Sequence, residues 1–257
     1  MPRHELSYPK TAINKVNRYA SLAAYDIKTV HSIIAAVPVV HVSFVSEQGL
    51  PTILPMIGAL GNFANPSADV DEVQDLYIHG YVSARLFRGR ETLSVCVSAT
   101  IVDGLVLALT PFSHNYNYRS AILHGTASAV TDAAEKLYAM ERVTSHVLPG
   151  RWTGSRIPPT KAELDSTGIL KVKITAASPK IHTGGPNEPK EDLANPEVTG
   201  RVWTGVVPTW TVHGEPVARG GGRVENVPEY ISQALERRNE MGKKEAVDAA
   251  RVGMEGA

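Results

Sequence analysis

The chain has 257 residues, 43% hydrophobic and 20% charged, which is enough for one large domain or two small ones with a hydrophobic core. Lysine plus arginine equals aspartate plus glutamate at 26 each, and no long basic block occurs, so nucleic-acid binding through bulk electrostatics is not expected. The single cysteine, Cys96, excludes an intrachain disulfide framework and a cysteine-cluster metal site.

The N-terminal part of the chain is predicted to be an arm followed by a helix. Residues 1–25 show little periodicity and lack the apolar core of a signal peptide, and no apolar run in the chain reaches membrane-spanning length. We therefore expect a cytoplasmic protein without a membrane partner. Beyond the arm, apolar residues recur at helical spacing over residues 27–37, with Asp26 as the N-cap and Pro38 as the stop.

Six strand-like runs follow between residues 39 and 131. They read "VVHVSFVS", "PTILPMIGALG", "DLYIHG", "TLSVCVSATIV", "GLVLALT" and "RSAILHGTASAVT". Pro51 and Pro55 favour an irregular or edge strand, because proline cannot donate a hydrogen bond to a sheet ladder. Asp103 and Gly104 separate two of the apolar runs and predict a hairpin turn between them.

The stretch "LYIHGYVSARLFRGRE" begins as a strand and continues as the start of a helix. Gly80 permits a break in the strand, Ser83 is a favoured N-cap, and Leu86 suits the buried face of a short helix. Arg85 and two further arginines close by make the helix start a candidate anion site. The alternative is an ordinary strand-turn-helix whose arginines are solvated.

The second half of the chain mixes helices with strands. Asp132 and Glu135, and again Thr160 and Glu163, have capping-box spacing at predicted helix starts. "GILKVKITAAS" and "RVWTGVVPTWTV" are predicted strands, with a long proline-rich loop between them, and a charged amphipathic helix is predicted after residues 220–222. Many strands with tight connections and few helices favour an antiparallel barrel over a doubly wound sheet.

The common catalytic motifs are missing from the sequence. It contains no glycine-rich nucleotide fingerprint after a strand, no His-Glu-x-x-His run and no Gly-x-Ser-x-Gly elbow. The nine histidines are scattered, and none stands out as a haem ligand or as part of a metal site. A bound organic cofactor is therefore favoured as the source of chemistry over the chain's own acid–base groups.

Several stretches together resemble the pyridoxamine 5′-phosphate oxidase-related flavoproteins, in the branch that includes the nitroimidazole-resistance-type proteins. They include "LYIHGYVSARLF", "TIVDGLVLALTPFSHNYNYRSAILHGTA", "LPGRW" and "VWTGVVP", and the resemblance covers about residues 18–208. It implies a mainly β, FMN-binding split β-barrel with peripheral helices, forming a homodimer with its flavins at the subunit interface. The barrel domain would span residues 26–212, and residues 213–257 would form a C-terminal extension.

The resemblance also implies a set of cofactor-binding residues. Ser83 and Arg85 match positions beside the FMN phosphate, although Ala84 stands where the oxidases have an arginine and so lacks one positive charge. His79 lies near the flavin as a proton donor or ring contact, or alternatively only fixes a turn. The remaining residues assigned to the cofactor are Pro55, Met56, Gly80, Tyr81, Arg119, Ser120, Lys180 and Trp203. Lys180 and His182 are placed in a loop that can reach the partner's flavin. For Trp203, packing in the core is slightly preferred over contact with the cofactor.

The predicted function is that of an FMN-dependent oxidoreductase acting on a small organic substrate, with NADH or NADPH as reductant. Nothing in the sequence matches the Arg-Leu-His-Asp-Arg type segment that holds pyridoxamine phosphate in the oxidases, so oxidation of vitamin B6 is not favoured. Three alternatives stay open: a flavin-storage protein without efficient turnover, a haem-binding or haem-degrading protein on the same barrel, and a dimeric interaction module.

Overall fold

The computed structural model of the chain describes residues 6–17, 22, 24–82, 86, 91–221, 224 and 226–253. The strands in these ranges are β1 Val40–Val45, β2 Pro51–Met56, β3 Gly58–Gly61, β4 Asp75–Tyr81, β5 Thr92–Leu107, β6 Asn115–Ala129, β7 Thr167–His182 and β8 Gly205–Pro208. The helices are α1 Ile27–Ala36, α2 Ala133–Val147, α3 Lys161–Ser166, α4 Lys190–Leu193, α5 Pro196–Thr199 and α6 Glu229–Arg251.

The strands form one sheet in the order β2-β1-β5-β6-β7-β4-β3, and β8 pairs with β5. The β1–β2, β1–β5, β3–β4, β4–β7 and β5–β8 pairs are antiparallel. Strands β2 and β3 stand at opposite ends of this order, yet Ile57 alone separates them in sequence. The sheet must therefore curl until its two ends meet. The predicted fold class, a mainly β antiparallel sheet with peripheral helices, is confirmed.

The chain divides into two compact units, and β5, β6 and β7 contribute residues to both. The first unit comprises Met1–Thr100 and Ser120–Lys180. In it, α2 covers β4, with Tyr77, Ala139 and Ile169 in one buried cluster. Helix α1 begins where predicted, because Oδ1 of Asp26 accepts a hydrogen bond from the Thr29 amide at 2.6 Å.

The second unit comprises Ile101–Arg119 and Ile181–Ala257. Here β8 pairs with the end of β5, and α6 contacts β8 and buries Ala246, Ala249 and Ala250. The amide of Gly184 donates to the carbonyl oxygen of Ala249 at 2.8 Å, which fixes the segment after β7 against the last turn of α6. The predicted domain limits, residues 26–212 and 213–257, remain predictions.

The predicted hairpin at Asp103 and Gly104 is wrong, because β5 runs through both residues without a turn. Gly104 pairs with Pro208 in β8, and a Cβ on it would lie 2.9 Å from Cγ1 of Val206. The glycine therefore permits close approach of two strands, and Asp103 is buried beside it.

Two helix predictions differ in outcome. The capping box at Thr160 and Glu163 forms in both directions at the start of α3. At α2, Asp132 caps the Glu135 amide, but the Glu135 side chain does not return to the cap. Oε1 of Glu135 instead accepts hydrogen bonds from the Tyr77 hydroxyl and the Lys171 ammonium, each at 2.8 Å. The capping box predicted for Asp132 and Glu135 is therefore wrong in one of its two contacts, the hydrogen bond from the Asp132 amide to the Glu135 side chain.

The region between the last two predicted strands is more ordered than expected. Strand β7 extends to His182, and the predicted loop after it contains the short helices α4 and α5. The final strand is shorter than expected, because β8 ends at Pro208. The predicted C-terminal helix is confirmed as α6. Within the described ranges, no helix has the length and apolar character needed to cross a membrane.

Candidate functional site

The predicted phosphate-binding residues, Ser83 and Arg85, lie outside the residues that the structure describes. Leu86 is described and is buried, as expected for the apolar side of this segment. The assignment of Ser83 and Arg85 to a phosphate therefore stays a prediction.

His79 stands out among the predicted cofactor residues because its ring contains an orphaned polar atom. It lies near the end of β4, opposite Ile169 in β7, and its Nδ1 is buried with no hydrogen-bond partner among the described residues. Burial lowers the pKa of His79 below its ordinary value, so the ring is neutral near pH 7. A buried polar atom without a partner costs about 1–3 kcal/mol, which a bound ligand with a matching group can recover.

The ends of β2 and β4 lie together in the first unit. Pro55 and Met56 close β2, and the chain enters β3 two residues later at Gly58, which pairs with Ile78. The register therefore puts the end of β2 next to His79. Gly80, opposite Gly168, and Tyr81, which is 64% exposed, follow on β4. The sequence prediction thus names residues that the fold brings to one place.

Ser120 and Lys180 are also neighbours in the first unit. The Ser120 hydroxyl donates a hydrogen bond to the Lys180 carbonyl oxygen at 3.1 Å and so joins β6 to β7. The Ser120 hydroxyl is therefore used in a contact within the sheet. Their assignment to a flavin remains a prediction.

Arg119 belongs to the second unit and contacts two carboxylates. Its Nε and Nη2 each donate to one carboxylate oxygen of Asp103 at 2.8 Å, and Nη2 lies 3.0 Å from Oε2 of Glu245 on α6. The hydrogen bond to Asp103 raises the pKa of the guanidinium above its ordinary value. Arg119 therefore ties β5 and β6 to α6, and its assignment to a flavin stays a prediction.

The preference for packing Trp203 in the core is wrong, because this residue is 65% exposed in the chain. The indole lies over Gly205, where a Cβ would stand 2.8 Å from Cη2 of the ring, and the glycine has φ +154. One part of the ring therefore rests on the backbone, and the rest is open to a further planar group.

The structure forms a polar cluster at the end of β7 that the sequence analysis did not predict. Nδ1 of His182 lies 2.9 Å from Oδ1 of Asn117, which is fully buried. Nδ2 of Asn117 donates to the carbonyl oxygens of Gly184 at 3.1 Å and Ala249 at 3.5 Å. The Tyr118 ring is nearly parallel to the imidazole, at 16° with 6.1 Å between centroids. His182 thus ends a strand, and the prediction of a loop there is wrong.

Within the part of the chain that the structure describes, no group of three or more histidine, cysteine, aspartate and glutamate side chains is arranged to hold a metal ion. Cys96 is half-buried on β5, and burial raises the pKa of its thiol. Among the side chains of the described residues, His79 has a buried Nδ1 without a hydrogen-bond partner, whereas His182 is hydrogen-bonded to Asn117.

Comparison with known proteins places these features in a family. The model of the family described as pyridoxamine 5′-phosphate oxidase matches residues 26–181, and no curated protein sequence matches. The flavocytochrome Anf3 from Azotobacter vinelandii is 30% identical, with TM-score 0.74 and coverage of 87% of this chain and 97% of that one. The FAD and heme binding protein from Mycobacterium smegmatis is 26% identical, with TM-score 0.70 and coverage of 83% and 97%.

Proposed function

Because the chain belongs to the pyridoxamine 5′-phosphate oxidase family of flavin-binding proteins, we propose that it is a redox protein that binds both a flavin and a haem. The proposal rests on the similarity to a flavocytochrome and to an FAD and heme binding protein. In each comparison, the alignment covers 97% of the other protein. Both alignments cover more than four-fifths of this chain and so extend beyond the segment 26–181 that the family model matches.

The first unit carries the residues that suit a flavin. The orphaned Nδ1 of His79 can meet a polar edge of the ring system, and Ser83 and Arg85 would bind the phosphate. When bound, a flavin supplies hydride and single-electron transfer. The family resemblance favours FMN, whereas the name of the Mycobacterium smegmatis protein states FAD. Mass analysis of the flavin released on unfolding decides between the two.

A haem would take its protein ligand from a histidine in this chain. Cys96, the single cysteine of the chain, lies half-buried within β5. A neutral imidazole is the common alternative ligand to haem iron. When bound, haem supplies single-electron chemistry, which matches the one-electron steps available to a flavin.

The proposal includes a homodimer that passes electrons from NADH or NADPH to a small-molecule acceptor. Leu105 on β5 and Val207 on β8 lie directly opposite each other, and both are exposed, which supports a covered apolar surface in the assembled protein. Light scattering tests the dimer. A flavin oxidoreductase without haem is the second candidate, supported by the family match alone.

Titration of the purified protein with FMN, FAD and haemin tests the proposed function. We expect quenching of flavin fluorescence and a shifted Soret band, each saturating at one equivalent per chain. Saturable flavin binding without any haem-binding change would leave the oxidoreductase or storage protein as the function. Absence of both responses in a folded protein would reject the proposal.

Replacing His79 with leucine should separate ligand binding from stability. We expect flavin affinity to fall roughly tenfold, equivalent to about 1.4 kcal/mol, because the ligand loses a buried hydrogen bond. The flavin-free protein should be as stable as the wild type or more stable by about 1 kcal/mol, because an unpartnered buried atom is removed. Fluorescence titration and urea unfolding measure the two quantities.

The matched control is His41→Leu, since His41 is exposed on β1. It should leave both quantities unchanged. If His79→Leu binds flavin as tightly as the wild type, the histidine does not contact the cofactor. If it unfolds the flavin-free protein, the histidine has a structural role instead.

A further inference from the structure

We propose that a second copy of this chain packs face to face on the outer surface of β1, β2 and β5 in the first unit. We call this surface the sheet face and define it by Ser43 and Val45 on β1, Pro51 and Ile53 on β2, and Cys96 on β5. The inference rests on the proposed function, because it assigns an interface to the homodimer that the proposed function includes.

The pairing of the strands puts these five side chains on one side of the sheet. Val45 lies directly opposite Pro51, and Ser43 lies opposite both Ile53 on β2 and Cys96 on β5. Side chains at alternate positions of a strand point to the same side, and directly paired residues share that side. The sheet face is therefore one contiguous surface across three strands.

The sheet face is apolar and yet exposed. Ile53 is 62% exposed, Val45 is exposed beside it, and so is Leu50 in the turn that joins β1 to β2. The other side of the same strands belongs to the core, where Val42 and Val97 are fully buried. An antiparallel sheet with one side on the core ordinarily has a polar outer side. An apolar outer side instead indicates a surface that is covered in the assembled protein.

The sheet face contains no charged side chain. Aspartate, glutamate, lysine and arginine make up 20% of the chain, yet Glu47 is their only member between residues 40 and 56, and it lies in the turn beyond the strands. An uncharged centre with a polar rim is typical of protein–protein interfaces.

The absence of charge also favours a second copy as the partner. Two-fold symmetry places the same surface of both copies against each other, so charged side chains at its centre would face like charges. A neutral sheet face avoids this repulsion. The chain has 26 basic and 26 acidic residues, so no net charge opposes the association of two copies.

Two prolines favour packing on the face of the sheet over pairing at its edge. Strand β2 stands at one end of the strand order, so one of its edges has no neighbouring strand in the described sheet. Pro51 and Pro55 lack an amide hydrogen, and proline in an edge strand lies with its nitrogen towards the open edge. Of the positions with this orientation in β2, only Ile53 can donate to an added strand. Strand addition along β2 is therefore disfavoured.

Sedimentation velocity of the cofactor-loaded protein tests the proposal with Ile53→Lys. We expect the dimer Kd to rise more than about a hundredfold, because each copy would bury an unpaired ammonium group in an uncharged interface. The matched control is Ile13→Lys in the N-terminal arm, where the same residue type is 63% exposed. This control should dimerise as the wild type does. Circular dichroism checks the fold, and Val45→Lys replaces Ile53→Lys if the latter does not fold.

Cys96 provides a second readout, because it is the single cysteine of the chain and lies within the sheet face. In the wild type, the rate of thiol labelling by a maleimide should fall as the protein concentration rises, because the second copy covers the thiol. In Ile53→Lys, the rate should not depend on protein concentration. Equal labelling rates in the dimeric wild type and in a monomeric variant would overturn the proposal.

Leu105→Lys separates the sheet face from the exposed apolar pair of Leu105 and Val207 in the second unit. Dissociation of Leu105→Lys while Ile53→Lys stays dimeric would place the interface on the second unit and overturn the proposal. A wild type that is monomeric at every concentration would also overturn it. Flavin and haem bound to that monomer would leave the cofactor part of the proposed function standing, whereas a dimer without either cofactor would reject that part alone.

Discussion

Replacing Asp103 with alanine is expected to lower the free energy of unfolding by about 3–5 kcal/mol. The Asp103 side chain is 3% exposed and accepts two hydrogen bonds from Arg119, each at 2.8 Å. Removing it leaves a guanidinium that is only 21% exposed without its main counter-charge. Glu245 still contacts Arg119 but is 42% exposed, so it compensates weakly.

Urea unfolding of the purified protein measures the effect. The control is Lys161→Ala, which removes an exposed ion pair with Asp165 and should leave the unfolding midpoint unchanged. A loss of less than about 1 kcal/mol for Asp103→Ala would show that the Asp103–Arg119 pair does not hold β5 to β6. Asp103→Asn, which keeps the volume, should fall between the wild type and the alanine variant.

Acidification should destabilise the protein through His31. This ring is fully buried, Nδ1 donates to the Val70 carbonyl at 3.0 Å, and Nε2 accepts from the Tyr8 hydroxyl at 2.8 Å. Burial lowers the pKa of His31 to about 4. The unfolded chain binds this proton near pH 6.5, so it takes up the proton before the folded chain does.

The stabilising contribution is therefore complete above about pH 6.5 and is lost as the pH falls through about 4, on the order of 3 kcal/mol in total. Urea unfolding across this range measures the slope. His31→Leu should flatten it, whereas His41→Ala, at an exposed position, should keep the wild-type slope. A slope that is the same in wild type and His31→Leu would contradict the assignment.

Features set by neighbouring residues were predictable from the sequence. The Asp26 cap of α1, the Thr160 and Glu163 box of α3 and the long helix α6 each depend on contacts within one or two turns. The mainly β fold followed from the strand-like runs and from the family resemblance. Such signals are local, and tertiary contacts did not overrule them.

Features decided by distant contacts were not predictable from the sequence. Asp103 and Gly104 have the local appearance of a hairpin, but Val206 from β8 and Arg119 from β6 determine their use. Glu135 has capping-box spacing, yet Tyr77 and Lys171 take its carboxylate. In each case the residue type suits either of two roles, and contacts between distant parts of the chain determine which role it has.

The candidate site shows the same division. The order of the family motifs placed His79, Pro55 and Met56 together, and the register of β3 and β4 agrees with this. His182 was named only as a residue near the flavin. Its partner Asn117 lies 65 residues earlier in the chain. The carbonyl group of Ala249, which accepts a hydrogen bond from Asn117, lies 132 residues after Asn117. No local pattern connects these groups, so the sequence did not reveal the cluster.

Whether the chain binds flavin and haem together is tested by the absorption spectrum of the protein purified from cells supplied with a haem precursor, followed by extraction of its cofactors. We expect a Soret band together with flavin bands, and equal amounts of flavin and haem per chain. A folded protein that carries flavin alone, and that still takes up no haemin when it is added, would contradict the claim.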